Sequence, residues 1–509
     1  MKKIRTLAWL LTLCTMIPVI TACGGDTGTN KGDEGQKGNN GTAADTQNAE
    51  ESTEPLDALE ARKFVSDGLG EYDFGGLTYR IVTSDDKSET LYCEAETGDV
   101  IDDAVFQRNV AVEDRFNCKI EVVQDGPYVD VSSFMTKAIT AGEDAFDIAS
   151  YHVVQLGTLT PSGYFLNWYD IPNIDFSKPW WSPSTVNDLT YNGVCLTAIG
   201  DMALSALSAA YCVFYNKTLG QNLDFPDLYQ VVNDGKWTID YITNLTKDIY
   251  QDLNGNGSVD LEDDLFGYTS DAYSNMNTYL WAFDNPIFKK DGNVLAYSYK
   301  TEKIPEIVNK ICDIFSMYDG IKTNAKHVEA NGNSHGYGRD MFAKGQSVLA
   351  NGYISMSLTH FRDLKDEFGI LPYPKWDEAQ DGYHTMADGH HEALAIPKTI
   401  SNAEAVGTIT EAMCAESYKI LVPAYYDVAL KVKSTRDEQS IQMLDLIVNS
   451  RMFDFGYVYD AWKGASFILQ TLVTQKNPNF ESYYAKKEKS INKWYNEVIE
   501  YFDTYEENE

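Results

Sequence analysis

The sequence predicts an α/β protein. Short apolar strand patterns alternate with amphipathic helical patterns from residue 77 onward. Such alternation implies parallel strands covered on both faces by helices. About 450 residues remain after a polar N-terminal stretch, enough for two or more cores.

The elements follow in order. Leu77-Thr78-Tyr79-Arg80-Ile81-Val82 is a strand entered through Gly75-Gly76. Val100, Ile101, Ala104, Val105, Val112 and Phe116 then recur at three- and four-residue spacing, the signature of a helix with one buried face. Lys119-Ile120-Glu121-Val122-Val123 is a second strand, 131–141 a second helix, and Phe146-Asp147-Ile148-Ala149-Ser150-Tyr151 a third strand.

Ahead of these lies a leader. Lys2, Lys3 and Arg5 precede an apolar run over 7–20, shorter than the roughly 20 residues of a stable membrane span, and the pattern predicts a signal peptide over 1–22. Ile20-Thr21-Ala22-Cys23 resembles the bacterial lipobox, which implies lipid on the Cys23 thiol; an ordinary secretory signal or an uncleaved anchor is the alternative. Residues 23–55 are polar and Gly-rich, too poor in apolar side chains to repay ordering, and are expected to form a flexible tether.

The formal net charge is −35, and loss of Lys2, Lys3 and Arg5 with the leader takes it to −38. That argues against nucleic acid or an anionic lipid surface as partner, leaving the lipid as the expected membrane contact. Tyr and Trp number 33 and 9, a good supply for planar-faced ligands, although aromatics fill cores in any case. Cysteines 93, 118, 195, 212, 312 and 414 form no CxxC pair and no zinc-like spacing. Scattered buried thiols are expected, though export permits a bridge such as Cys93–Cys118.

Eight segments in order resemble the extracellular solute-binding proteins of ABC importers, in particular the maltose- and oligosaccharide-binding family. They are 74–83; 98–123 with Arg108-Asn109; Ala141-Gly142 with Phe146-Asp147-Ile148; Gly163-Tyr164-Phe165-Leu166; Phe214-Tyr215-Asn216-Lys217; Asp234-Gly235-Lys236-Trp237-Thr238; 342–350; and Phe368-Gly369-Ile370-Leu371-Pro372-Tyr373-Pro374. The resemblance implies a two-lobed periplasmic-binding-protein-like fold of type 2, with mixed sheets flanked by helices and a cleft between lobes. Lobe 1 would comprise 70–208 and 374–425, lobe 2 214–366 and 426–509. It implies a monomeric receptor at the outer face of the cell membrane, capturing a carbohydrate, an oligosaccharide first of all, and delivering it to the transmembrane subunits of an ABC permease. A surface glycan sensor without transport is a second reading. A secreted glycoside hydrolase is a third, with no support from composition, since 76 acidic residues pair by chance.

The sharpest local motif is 252–263. Asp252, Asn254, Asn256, Ser258, Asp260 and Asp263 place oxygen donors at loop positions 1, 3, 5, 7, 9 and 12, around a turn at Gly257. Calcium takes six to eight oxygens, Ser258 giving its backbone carbonyl, so the spacing predicts a structural calcium site; the closing Asp263 resembles a dockerin-type loop more than an EF-hand. An Asn/Gly/Asp-rich turn without metal is the alternative.

Ligands of such folds sit beyond the carboxyl ends of strands. The resemblance therefore implies ligand contacts from Asp86 and Lys87 after the first strand, Tyr151 and His152 ending the third, and Tyr353 after the strand 347–350. Weaker candidates are Asp201, Trp281, Trp462 and the run Asp388-Gly389-His390-His391-Glu392. Adjacent histidines on a strand face opposite ways, so that run is expected to wall the cleft rather than bind metal. Trp180-Trp181 is expected to be core.

Overall fold

The computed structural model describes residues 58–291, 294–298, 300–324, 336–431 and 438–505. The signal peptide, Cys23 and the tether lie outside the described residues. Among the described residues no helix is long and apolar enough to cross a membrane.

Two sheets organise the chain from Leu56 onward. The first contains β1 (Leu77–Val82), β2 (Cys118–Gln124), β3 (Ile148–His152) and, from far down the chain, β13 (Glu392–Ala395), in the order β13-β3-β1-β2. β1 runs parallel to both β2 and β3, and β13 closes the edge antiparallel to β3. Every residue of β3 is buried, as expected of a strand covered on both faces. Helix Val100–Phe116 connects β1 to β2; the Asp99 carboxylate caps it by accepting from the N–H groups of Ile101 and Asp102. Its Arg108 is fully buried, donating to the carbonyls of Leu91 and Thr90 and to the hydroxyl of Ser417, while Asn109 also donates to Leu91. The second helix, Tyr128–Ala141, starts three residues before the sequence pattern does.

The second sheet holds β4 (Tyr211–Asn216), β5 (Tyr250–Gln251), β6 (Leu265–Ser270), β9 (Ile321–Thr323), β10 (Ser347–Tyr353) and β11 (Phe368–Leu371), in the order β11-β4-β10-β6-β5 with β9 also on β6. β4 is antiparallel to β10 and β11, whereas β10 runs parallel to β6. The chain thus enters this sheet at 211, leaves it after 371, and returns to the first sheet at 392. The fold is two-lobed α/β, with mixed sheets and helices over both. A small hairpin, β7 (Phe288–Asp291) with β8 (Val294–Tyr297), and a two-residue pair, β12 (Thr385–Met386) with β14 (Arg451–Met452), complete the strands.

The helices of the C-terminal third pack on both lobes. Residue 425 falls within helix Val422–Lys431, which packs on the lobe 1 helix Val100–Phe116 as its predecessor Ala403–Glu416 does. Helix Glu438–Asn449 lies on β11, and Ile468–Thr474 lies on the lobe 2 helices Ser274–Ala282 and Lys303–Met317. The last helix, Phe480–Asp503, and the residues just after it touch both lobes: Tyr495 packs edge-on to Phe288, Phe502 to Tyr191, and Tyr505 accepts the N–H of Asn167. All six cysteines after residue 60 are unpaired, five buried and Cys93 half-buried.

Candidate functional site

A cavity of about 370 Å³ lies where the carboxyl ends of strands from both sheets meet the crossing segments. Asp86 and Lys87 reach it from the turn after β1, Asp271 from the end of β6, and Tyr353 from the end of β10. Tyr211, opening β4, faces Tyr353 across the ladder with ring centroids 6.1 Å apart and nearly perpendicular. Asp388 and His390 come from the segment returning to β13. The size suits a small ligand.

Its charges are tied down. The Lys87 ammonium lies 2.6 Å from Asp86, and the Ser84 hydroxyl donates to the other oxygen at 2.7 Å. Burial works against it, yet these partners hold Asp86 below the usual carboxylate range. Asp388 accepts from Tyr211, from Ser274 at 3.0 Å, and from the backbone and ring nitrogen of His390. Despite burial, it stays ionised well below its ordinary range, and it raises His390 in return. Asp271 accepts the N–H groups of Gly336 and Gly338, both at 2.9 Å; burial nevertheless raises its pKa. Arg339 lines the same cavity; among the described residues its one hydrogen bond runs from Nε to Asp340. The arrangement offers fixed acceptors, a guanidinium group and tyrosine rings.

The candidates from the sequence fall into separate places. Asp86, Lys87 and Tyr353 line the cavity together. His152 stands behind it, its ring 4.7 Å from that of His390; burial pushes it down to about 3, so it is neutral, and among the described residues its Nδ1 has no hydrogen-bond partner. Tyr151 is fully buried, donates its hydroxyl to the carbonyl of Tyr128 and does not line the cavity. Trp281 is likewise core: it is 1% exposed, and its indole N–H donates to Asp454 at 2.8 Å. Asp201 lines a different cavity, beside Trp181 and Arg451. Trp462 is 49% exposed at a positive φ of 61°, stacked on Phe467 at 4.8 Å, and lines none of these cavities. His391 and Glu392 are buried, Glu392 accepting from Ser150 and Ser205. Trp180 and Trp181 are core, with both indole N–H groups on the two oxygens of buried Glu411.

Asp271, Arg339, Tyr211 and Ser274 were missed. Asp271 stands after β6 just as Asp86 stands after β1, so strand-end reasoning carried to β6 finds it. Arg339 has no comparable signal.

The loop 252–263 is wound on its own side chains. Asp252 accepts from Gly255 and Gly257, Asn254 from Asn256, Asn256 from Ser258, and Asp260 from Glu262. Asp264, just beyond the motif, anchors it by accepting from Leu253, Asp260 and Tyr250. The oxygen-only donor set has the chemistry calcium takes. Among the described residues, however, no three His, Cys, Asp or Glu side chains are gathered as a metal would need.

The sequence model of one family, described as bacterial extracellular solute-binding protein, matches residues 110–419. No curated protein matches the chain. Solved structures that share its fold include these three. A cyclo/maltodextrin-binding protein complexed with maltotetraose has a TM-score of 0.52 at 13% identity, covering 86% of this chain and 99% of its own. An ABC substrate-binding protein, Lmo0181 from Listeria monocytogenes, in complex with cycloalternan, has 0.50 at 12%, covering 82% and 98%. UspC of M. tuberculosis has 0.50 at 15%, covering 79% and 100%.

Proposed function

This chain belongs to the bacterial extracellular solute-binding proteins, and we propose that it captures a carbohydrate in the cleft between its lobes and delivers it to the transmembrane subunits of an ABC permease. The observation that carries this is the cleft itself: strand ends from both sheets bring tyrosine rings and fixed polar groups to one cavity. A sugar needs a flat apolar face and several hydrogen bonds of set direction, and Tyr353, Asp86, Asp388 and Arg339 supply both. Two proteins of the same fold were solved holding maltotetraose and cycloalternan. The role is capture rather than turnover, because the cleft carboxylates are committed to donors that keep them ionised or fixed. Lobe closure traps the ligand.

The remaining parts of the reading are an anchor of lipid on Cys23, the 23–55 tether, and a monomer at the outer face of the membrane. Calcium is proposed for the 252–263 loop, where Asp263 has to be drawn in beside Asp252 and Asp260.

A thermal-shift and calorimetric screen against mono- and oligosaccharides tests the function. A specific sugar raises the melting temperature according to its concentration over Kd. Stabilisation by a peptide or polyol and by no sugar refutes the carbohydrate reading. Repeating the melt in millimolar calcium and in EDTA tests the loop; identical melting points refute it.

A further inference from the structure

A second cavity, of about 420 Å³, lies on the other side of the crossing from the cleft. One helical turn, Ser205–Ser208, separates them. Ser205 and Ser208 line the cleft, whereas Leu204 and Leu207 line the second cavity. A three-residue spacing puts each pair on one side of a turn. The other walls come from Trp181, from Tyr418 on the π-helical turn Ser417–Leu421, from Tyr426 on the next helix, and from Arg451 of β14. π-Helical turns are rare and collect at functional sites.

The polar groups of this cavity do not balance. The Arg62 guanidinium lies over the Tyr418 ring at 4.6 Å and beside Tyr426 at 5.8 Å, so the rings position it without using its N–H donors. Among the described residues it makes no hydrogen bond. Arg451 commits Nε to the Val448 carbonyl and Nη1 to that of Ala206, which among the described residues leaves Nη2. Among the described residues Asp201 is the one carboxylate that lines the cavity, and no hydrogen bond reaches its side chain. Burial pushes it up to about 7, although Arg451 and Arg62 pull the other way. Asp445 also acts electrostatically on Arg62 but does not line the cavity, so two guanidinium groups border a lining that carries one weakly committed carboxylate.

We propose that this cavity, separate from the cleft, is a second binding site and that it takes a small organic carboxylate. A guanidinium fork matches the two oxygens of a carboxylate, and Arg62 is held in place by stacking before any ligand arrives. Tyr426 and Trp181 supply the apolar wall for a carbon skeleton. The volume is in the range of small-molecule sites, and it admits an acid of a few carbons or a single uronic acid ring.

Isothermal titration of the full-length protein with pyruvate, succinate and D-glucuronate, with inorganic phosphate and glycerol alongside, tests this. At least one carboxylate is expected to bind with a Kd below about 1 mM, a range ordinary for small ligands. Arg62→Gln is expected to weaken it at least tenfold and Arg62→Lys less, with circular dichroism unchanged. Tyr353→Ala, in the cleft, is expected to leave that Kd within about twofold, as independent sites require. The assignment is overturned if no carboxylate binds, if phosphate binds more tightly than every carboxylate, if the Arg62 variants bind as tightly as the parent, or if Tyr353→Ala abolishes binding. The carbohydrate reading of the cleft is untouched by any of these results.

Discussion

Glu411 gives the most quantitative test of the packing. It is fully buried on helix Ala403–Glu416, with Trp180 and Trp181 each donating at 2.9 Å and the Asp175 N–H at 3.3 Å. Burial outweighs these three bonds and pushes its pKa from 4.5 to about 7. A raised carboxyl is protonated more readily in the folded chain than in the unfolded one. Its contribution is therefore fully present below 4.5 and is lost as the pH rises through 7. One pKa step is worth about 1.4 kcal/mol, so the change across that window is about 3 kcal/mol. Other buried carboxyls titrate nearby, among them Asp454, raised to about 6. A comparison with Glu411→Gln cancels them. Urea denaturation of both proteins at pH 4.5, 5.5, 6.5 and 7.5 provides the free energies. The parent is expected to lose about 3 kcal/mol relative to the variant between the lowest and highest pH. Parallel curves would show that the two indole donors keep Glu411 ionised throughout, and the reasoning would be wrong.

Three further tests address the site and its scaffold. Tyr353→Ala should weaken the cleft ligand at least about tenfold by calorimetry, whereas Trp281→Phe should leave that Kd unchanged and cost about 1–3 kcal/mol in denaturation, because Asp454 loses a buried donor. Gly157→Ala should cost about 3 kcal/mol or more and lower the soluble yield, since a Cβ there would sit 1.9 Å from the Val458 carbonyl oxygen. The His390–Asp388 pair raises His390, so its stabilisation is complete below 6.5 and fades as the pH climbs through the raised value; His390→Gln should flatten the melting temperature over that alkaline range, and an unchanged slope would refute the pairing.

Much of the fold was legible because its causes are local. The Leu77–Val82 strand and the Val100–Phe116 helix follow from residue spacing, and the Asp99 cap is visible in sequence. The division of the C-terminal third was not legible, since helix Val422–Lys431 is amphipathic whichever lobe receives it. In the site, strand ends led to Asp86, Lys87 and Tyr353. They misled at Tyr151 because successive β residues face opposite ways, so only one of Tyr151 and His152 can approach the cleft. Trp281 misled because an indole with a buried acceptor is as stable in a core as on a sugar. Asp201 lies on a crossing segment whose residues serve two cavities, a division that only three-dimensional packing decides. Arg339 enters the cleft from a helix whose sequence carries no ligand signature.

The last helix has a mechanical consequence. With Tyr495 seated on Phe288 in one lobe and Tyr505 joined to Asn167 in the other, Phe480–Asp503 acts as a stay across the two halves. A clamshell fitted with a stay has limited travel. A receptor whose travel is limited in this way would spend less of its ligand's affinity on closing. Cutting the chain before 480 would lengthen that travel, and a looser jaw would show itself as a larger radius of gyration in the empty protein and a slower, weaker capture.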